Sequence, residues 1–183
     1  KHRGPNHRDF VVFDNKVFLG HSRLSIIDLD SRSNQPMKSN CGRYWIVYNG
    51  ECFNYSALRK ELSKQGVVFQ TSSDTEVLLQ GLILEGESFI ERVNGFFAFG
   101  FYDTVTEEIL LGRDRLGIKP LYIYQSGDGL RFSSELRPLK KLGVPFSINH
   151  RALNEYLLYS YVPEPLCLID GVVKVYPGTT LRY

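Results

Sequence analysis

The stretch of residues 48–54, Tyr-Asn-Gly-Glu-Cys-Phe-Asn, brings together a side-chain amide, an unhindered backbone N–H and a carboxylate. The Asn49 amide and the Gly50 N–H can stabilise a developing oxyanion, and Glu51 can accept hydrogen bonds from a cationic amine. The aromatic and β-branched run 43–48 predicts a strand that ends in an Asn-Gly turn. The same residues are also typical of an ordinary turn with an exposed acid, so their chemistry depends on what lies beside them.

Two further charged residues are candidates for the same site. Arg23 lies at the entrance of an apolar run (24–29) that we interpret as a strand, and an arginine fork there can hold a carboxylate bidentately. A surface ion pair is the alternative role. Asp74 falls in a Ser-Asp-Thr-Glu capping box, in the first turn of a helix that is apolar nearly all round, where the helix dipole favours its charge. Its alternative role is simply to cap that helix.

The composition excludes several classes of protein. The chain has 183 residues, enough for one domain with a real core. Its net charge of +2 does not indicate nucleic acid or an anionic membrane as a partner. No apolar run reaches the roughly 18 residues of a spanning helix, and three cysteines without paired spacing indicate a reducing compartment. We therefore expect a cytoplasmic protein.

Periodicity predicts clusters of antiparallel strands with helices in blocks, which favours a layered α+β domain. The predicted strands are 9–13, 17–21, 43–49, 67–70, 96–102, 108–113, 121–125 and 130–133. The predicted helices begin near residues 55, 74, 134 and 150, and a short helix ends near residue 95. Asn54 and Asn149 are predicted N-caps. Residues 162–183 are rich in Pro and Gly and read as a domain edge or linker.

Six short motifs, in this order, resemble the glutaminase domain of class II glutamine amidotransferases, and most of all that of glutamine-hydrolysing asparagine synthetases. The family patterns are R-G-P-D, H-x-R-L-S-I-x-D, N-G-E-I-Y-N, S-D-x-E, F-A-F and G-R-D-x-x-G-x-K-P-L-Y. Their counterparts here begin at Arg3, His21, Asn49, Ser73, Phe97 and Gly112. The resemblance spans residue 1 to about residue 177. It implies an Ntn-hydrolase-like four-layer αββα sandwich of antiparallel sheets.

The resemblance also implies roles for the candidate residues. Arg23 would bind the α-carboxylate of glutamine, and Glu51 and Asp74 its α-ammonium group. Asn49 and the Gly50 N–H would form the oxyanion hole. The pocket wall would come from the segment that follows the arginine, namely Leu24, Ser25, Ile26 and Ile27.

The chain departs from the family pattern at Asn6, at Cys52-Phe53 and, above all, at the nucleophile. The family uses an N-terminal cysteine whose own α-amino group is the base. Lys1 cannot do this, and no internal cysteine has a histidine at a suggestive spacing. We therefore expect a fragment that lacks the nucleophile and the first strand and that is inactive by itself.

These expectations lead to one preferred function and several alternatives. Residues 1–161 would be the glutaminase domain, and 162–183 would lead to a synthetase domain that converts aspartate to asparagine with ATP and Mg²⁺. The present residues show no metal-ligand spacing and no phosphate-binding loop, so we expect no cofactor in this domain. Glutamine is the expected partner, and a homodimer is one option for the assembly. The alternatives are a synthetase acting on another carboxylate, and a non-catalytic glutamine-binding or structural module. Amidotransferases of amino-sugar or purine synthesis, which typically show H-T-R-W, are disfavoured.

Overall fold

A computed structural model describes residues 4–24, 27–28 and 30–183. These residues form ten strands and four α-helices. Strands and helices occur in blocks, as the sequence predicts. The strands are β1 His7–Phe13, β2 Val17–Arg23, β3 Met37–Lys38, β4 Tyr44–Cys52, β5 Gly95–Asp103, β6 Glu108–Arg113, β7 Tyr122–Ser126, β8 Gly129–Ser133, β9 Val172–Lys174 and β10 Thr180–Arg182. The helices are α1 Tyr55–Lys64, α2 Asp74–Glu85, α3 Leu136–Lys141 and α4 His150–Tyr159.

Antiparallel pairing arranges the described strands into a five-stranded sheet in the order β10-β6-β5-β4-β3, a three-stranded sheet β8-β7-β9, and the hairpin β1-β2. One apolar cluster joins α1 and α2 to one face of the five-stranded sheet. A second lies between the other face of that sheet and strands β2 and β7. A third packs the three-stranded sheet against α3. The layers are therefore helix, sheet, sheet and helix, which is the expected αββα sandwich.

Alternation along β4 decides which side chains reach which layer. Ile46, Tyr48 and Cys52 belong to the cluster beneath α1 and α2, whereas Val47 belongs to the cluster between the sheets. Because successive side chains of a strand point to opposite faces, Asn49 and Glu51 follow Val47 to the inner face of the sheet. Polar residues at the end of a core strand are thus directed into the space between the two sheets.

The predicted Asn49-Gly50 turn is wrong. β4 continues without interruption to Cys52, with Asn49 opposite Ala98 and Gly50 opposite Phe97 on β5. Neither Asn49 nor Gly50 has a positive φ. Pairing with the long β5 strand outweighs the local turn preference of the dipeptide, and the chain turns only after residue 52.

Other differences from the sequence-based expectations are local. Residues 24, 27 and 28 are not in a strand, so Arg23 ends β2 instead of opening a new one; Ser25, Ile26 and Leu29 lie outside the described residues. The predicted strand 67–70 is irregular. Asn54 precedes α1 but makes no capping bond, because its side chain bonds the backbone of Arg92 and Asn94. The predicted caps at Ser73 and Asn149 are confirmed.

Residues 162–183 take part in both sheets. They supply β9, an edge strand of the three-stranded sheet, and β10, an edge strand of the five-stranded sheet. The buried Arg113 holds this segment to the rest of the domain, because its Nη1 donates to Val175 O and pairs with Glu164 at 2.8 Å. The domain boundary after residue 161 stays a prediction.

Candidate active site

A single cavity of about 1360 Å³ contains the predicted site residues that the structure describes. It opens between β2, the end of β4 and the start of α2. Its lining includes Arg23, Leu24, Ile27, Asn49, Gly50, Glu51 and Asp74. The sequence therefore predicted a set of residues that the fold brings together, while Ser25 and Ile26 lie outside the described part of the chain. The roles assigned to these side chains stay predictions.

At the edge of β4 that faces the cavity, side chains bond the backbone, and none of the described strands pairs with β4 at this point. β3 pairs only with Trp45 and Ile46 of β4. Further along, the Tyr48 N–H donates to Gln35 Oε1 at 2.6 Å, and the Cys52 N–H donates to Asp74 Oδ2 at 2.9 Å. Gly50 lies midway between these two amides.

The N–H of Gly50 points to the same open edge. On β5, Phe97 directs both of its backbone groups towards β6, because its N–H donates to Asp114 Oδ2 at 3.2 Å and its oxygen accepts the Asp114 N–H at 2.8 Å. Gly50 and Phe97 are therefore a non-hydrogen-bonded pair of the antiparallel ladder. The Gly50 N–H consequently turns away from β5 and towards the cavity. A donor in this position can serve a developing negative charge.

Glycine is required at residue 50 by the close approach of β5. An added Cβ would lie 2.4 Å from the Phe96 oxygen and 2.7 Å from Phe97 Cα, and both are backbone atoms that cannot rotate aside. The bare backbone is therefore a packing requirement, which also leaves the N–H sterically open.

Arg23 is buried at the end of β2, with 6% of its surface exposed. Its Nη1 donates to the backbone oxygen of Asp30 at 3.2 Å and to Asn34 Oδ1 at 2.9 Å. Its Nη2 donates to the backbone oxygens of Ile27 and Asp28. All four acceptors are neutral, and no carboxylate of the described residues forms an ion pair with Arg23. The guanidinium thus holds residues 27, 28, 30 and 34 and still presents an uncompensated positive charge beside the cavity.

The two acids of the site have different surroundings. Asp74 is buried at the start of α2, and burial raises its pKa, against the opposing effect of the Cys52 N–H. Glu51 is exposed on the inner face of β4 and makes no hydrogen bond or ion pair that the described residues supply. An ammonium group that contacts both acids would therefore meet the Asp74 carboxylate, which a hydrogen bond holds in place, and the Glu51 carboxylate, which no described group holds.

His21 contacts β4. Its Nε2 lies 3.1 Å from the Tyr48 oxygen, and burial lowers its pKa to about 4. A neutral ring whose Nε2 faces a carbonyl must carry its proton on that nitrogen. Nδ1 is then an acceptor, buried and without a partner among the described groups. Together with Gln35, His21 therefore holds both backbone groups of Tyr48.

None of the three thiols suits nucleophilic attack in this cavity. Burial and the charge of Asp74 raise the pKa of Cys52 to about 12, and burial raises the pKa of Cys167. Cys41 is exposed, and the Ser39 hydroxyl lowers its pKa, but Cys41 does not line the cavity. Because the thiolate is the reactive form, the two buried thiols are inert at neutral pH.

Sequence reasoning missed Gln35 and the Tyr48 peptide as parts of the site. Gln35 bonds the backbone of β4 and the Thr75 hydroxyl at 3.2 Å. The only local signal is a polar residue directly before Pro36 and the short strand β3. Among the described residues no cluster of three or more His, Cys, Asp or Glu side chains could hold a metal ion, and no described helix is long and apolar enough to cross a membrane.

The layered antiparallel sandwich, with its polar cavity at the end of a central strand, is an α+β fold of the Ntn-hydrolase type. The chain belongs to the family described as the glutamine amidotransferase domain, which matches residues 1–183.

Similar proteins agree with this assignment. Glutamine-hydrolysing asparagine synthetase 1 of Bacillus subtilis (strain 168) is 39% identical over 97% of this chain, and asparagine synthetase B of Escherichia coli (strain K12) is 36% identical over 96%. The chain covers only 28% and 29% of these two proteins. The solved glutamine phosphoribosylpyrophosphate amidotransferase of B. subtilis, in complex with ADP and GMP, superposes with a TM-score of 0.58 at 28% identity. That match covers 68% of this chain and 29% of the other.

Proposed function

We propose that this domain binds glutamine and releases ammonia from its side-chain amide, as the glutaminase part of an asparagine synthetase. The observation that carries the proposal is the shared cavity, whose lining includes Arg23, Glu51 and Asp74 together with Gly50 at the edge of β4. Free glutamine carries one carboxylate, one ammonium group and one amide carbonyl. The cavity offers a group of the right kind for each.

The charged groups would recognise the amino-acid end of glutamine. Arg23 attracts the α-carboxylate, which would meet its Nε–H or displace one of the neutral acceptors that Nη1 and Nη2 now contact. Asp74 and Glu51 attract the α-ammonium group. Hydrogen bonds to charged groups contribute about 1.5–3 kcal/mol each, and a buried site built for them rejects ligands that lack the partner charge.

The edge of β4 would act at the other end of the ligand. Attack by a thiolate on the amide carbon forms a tetrahedral intermediate with a negative oxygen, which the Gly50 N–H and the Asn49 amide would stabilise. Ammonia leaves as the thioester forms, and water then cleaves the thioester to give glutamate. Losing one donor of such a pair typically costs about 10²–10³ in kcat.

The proposal places the nucleophile on an N-terminal cysteine outside these 183 residues, because the three thiols described above are unsuited to the task. Residues 1–183 alone are then expected to bind glutamine without hydrolysing it. In the longer protein, ammonia would pass to a second domain that activates aspartate with ATP and Mg²⁺. A domain that binds glutamine with no catalysis in any context is the second candidate, and the same three thiol environments favour it.

The proposal is tested in the longer protein with glutamine labelled with ¹⁵N at the side-chain amide, together with aspartate, ATP and Mg²⁺. The expected result is ¹⁵N in the side-chain amide of asparagine, detected by NMR. Label in another amide would identify a different acceptor. If all the label stays in glutamine, the hydrolytic function is excluded and the second candidate, a domain that only binds glutamine, remains.

Arg23→Ala tests the binding site itself. We expect the KM for glutamine to rise about 10–100-fold, while synthesis from free ammonia is unchanged, because ammonia does not use the carboxylate site. Arg151→Ala, on the exposed surface of α4, is the control and should change neither activity. Equal loss of both activities in Arg23→Ala would make this arginine structural and contradict the proposal.

A further inference from the structure

Gln35 connects two parts of the cavity wall that are far apart in sequence. Its side chain is buried, with 6% exposed, and it lines the cavity. Oε1 accepts the Tyr48 N–H at 2.6 Å, and Nε2 donates to Thr75 Oγ1 at 3.2 Å. One amide group therefore bridges β4 to the first turn of α2.

The bridged residues are direct neighbours of the proposed glutamine contacts. Tyr48 lies two residues before Gly50 on the same edge of β4, and Thr75 follows Asp74 at the start of α2. Asp74 itself bonds the Cys52 N–H, two residues after Gly50. The Gly50 N–H thus lies between two backbone amides that side chains bond, those of Tyr48 and Cys52. Both side chains, Gln35 and Asp74, connect β4 to α2.

A neighbouring strand could not replace this arrangement. Strand pairing along this edge would bond the N–H of residues 48, 50 and 52 alike, because all three point the same way. Side chains can instead bond residues 48 and 52 and leave residue 50 free. Gln35 thereby gives the rigidity of a paired edge without occupying the donor that the reaction needs.

We propose that Gln35 is a positioning residue, which fixes the distance between the Gly50 N–H on β4 and the Asp74 carboxylate on α2. The role rests on the proposed glutaminase function. Asp74 on α2 and the Gly50 N–H on β4 would contact opposite ends of glutamine, so this distance must match the length of the ligand. A misplacement of about 1 Å in such a site costs about 10²-fold in rate.

Gln35→Met in the longer protein removes both bonds and keeps a flexible side chain of similar length. We expect kcat for glutamine hydrolysis to fall about 10–100-fold while KM changes less than about threefold, because the charged contacts remain and the oxyanion donor drifts. Thr75→Val removes only the Nε2 bond and should cause a smaller fall of the same kind. Thr75→Ser, which keeps the hydroxyl, should have the kcat of the wild-type protein.

Ser39→Ala is the matched control. Ser39 is also buried, and its hydroxyl accepts the N–H of Tyr44 on the same strand at 3.1 Å, but it does not line the cavity. Its loss should lower thermal stability and leave the kcat of the folded protein unchanged. An equal fall of kcat in Gln35→Met and Ser39→Ala, or an unchanged kcat in Gln35→Met, would overturn the proposal.

Hydrogen exchange separates this inference from the proposed function, because it needs no glutamine. In Gln35→Met the amide of Tyr48 should exchange at least tenfold faster than in the wild-type protein, with the Tyr44 amide unchanged. If the wild-type protein does not use glutamine, the proposed function fails while the exchange result still decides whether Gln35 holds the edge. An unchanged exchange rate of the Tyr48 amide would show that Gln35 does not hold this edge of β4, and would overturn the inference.

Discussion

The carboxylate of Asp28 accepts the backbone N–H of Ser72 at 2.6 Å, which joins the loop after β2 to the residue before the N-cap of α2. Arg23 fastens the same loop from the other side through the oxygens of Ile27 and Asp28. Residues 27 and 28 thus connect Arg23 to the segment just before α2. Asp28 has φ 54°, in the left-handed region that Asn tolerates better than Ala.

Asp28→Ala should open this loop and weaken glutamine binding several-fold. Although partial burial opposes it, bonding from the Ser72 and Asp30 N–H groups lowers the pKa of Asp28 well below its ordinary value of 3.8, so its contribution to stability is complete above about pH 4. Stability from this group is lost as pH falls through the lowered folded pKa. Asp28→Asn keeps an acceptor and the backbone preference, so isothermal titration with glutamine should show a smaller loss. Equal losses in both variants would contradict the role of the Ser72 bond.

Asp74→Asn should separate stability from function. Burial raises the pKa of Asp74, so the folded state binds a proton more readily than the unfolded state. The ionised carboxylate therefore lowers the free energy of unfolding as the pH rises above the ordinary pKa of an aspartate. The neutral amide removes that cost and can still accept the Cys52 N–H. We expect an equal or higher melting temperature at pH 7, with glutamine binding weakened about 10–100-fold. A lower melting temperature with unchanged binding would show that Asp74 is purely structural.

His21 should make the domain sensitive to mild acid. Its pKa is about 4 in the folded protein, against an ordinary value of 6.5, so the unfolded state binds the proton first. Its contribution to stability is complete above pH 6.5 and is lost as pH falls towards 4. The loss amounts to at most about 3.5 kcal/mol, at roughly 1.4 kcal/mol for each unit of pKa.

His21→Gln is the matched variant, because the Gln amide nitrogen can take the place of Nε2 and donate to the Tyr48 oxygen. Urea unfolding between pH 4 and 7 should show a flatter pH dependence for this variant than for the wild-type protein. Parallel curves would mean that other groups cause the acid sensitivity.

Gly50→Ala should displace β4 from β5, because the added Cβ would collide with the backbone of Phe96 and Phe97. Overpacking of this kind costs about 1–3 kcal/mol, so the urea midpoint should fall. Glutamine hydrolysis by the longer protein should fall further than the folded fraction does, because the N–H moves with the strand. Gly127→Ala, at a glycine with no atom near its added Cβ, is the control and should change neither property. Full hydrolysis in Gly50→Ala despite a lowered urea midpoint would contradict this prediction, because it would show that the displacement of the strand leaves the oxyanion donor in place.

Elements with a strong local pattern could be predicted from the sequence. The bounds of β6 and the start of α4 agree with the prediction, because a short apolar run and the Asn149 cap are local signals. The Ser73 cap is equally local, but Glu76 does not return to it as a capping box requires. Its carboxylate instead accepts the N–H groups of Gln70, the last residue of the predicted strand 67–70, and of Thr71, the residue after it.

The site could be predicted in its residue types but not in its construction. The charges of Arg23, Glu51 and Asp74 follow from the motifs, and the fold brings them to one cavity. Gln35 could not be found in this way, because its bonds reach residues 13 and 40 positions away. The direction of the Gly50 N–H depends on the register with β5, which no local pattern determines.

The division of β4 between two layers makes this strand intolerant of insertions. One extra residue before Tyr48 would shift the pairing with β5 by one position. Asn49 and Glu51 would then point into the apolar cluster beneath α1 and α2, and Tyr48 and Cys52 would face the cavity. The turn between β5 and β6, whose tip is exposed, carries no such constraint. Length variation among functional relatives should therefore collect in that turn and be excluded from β4.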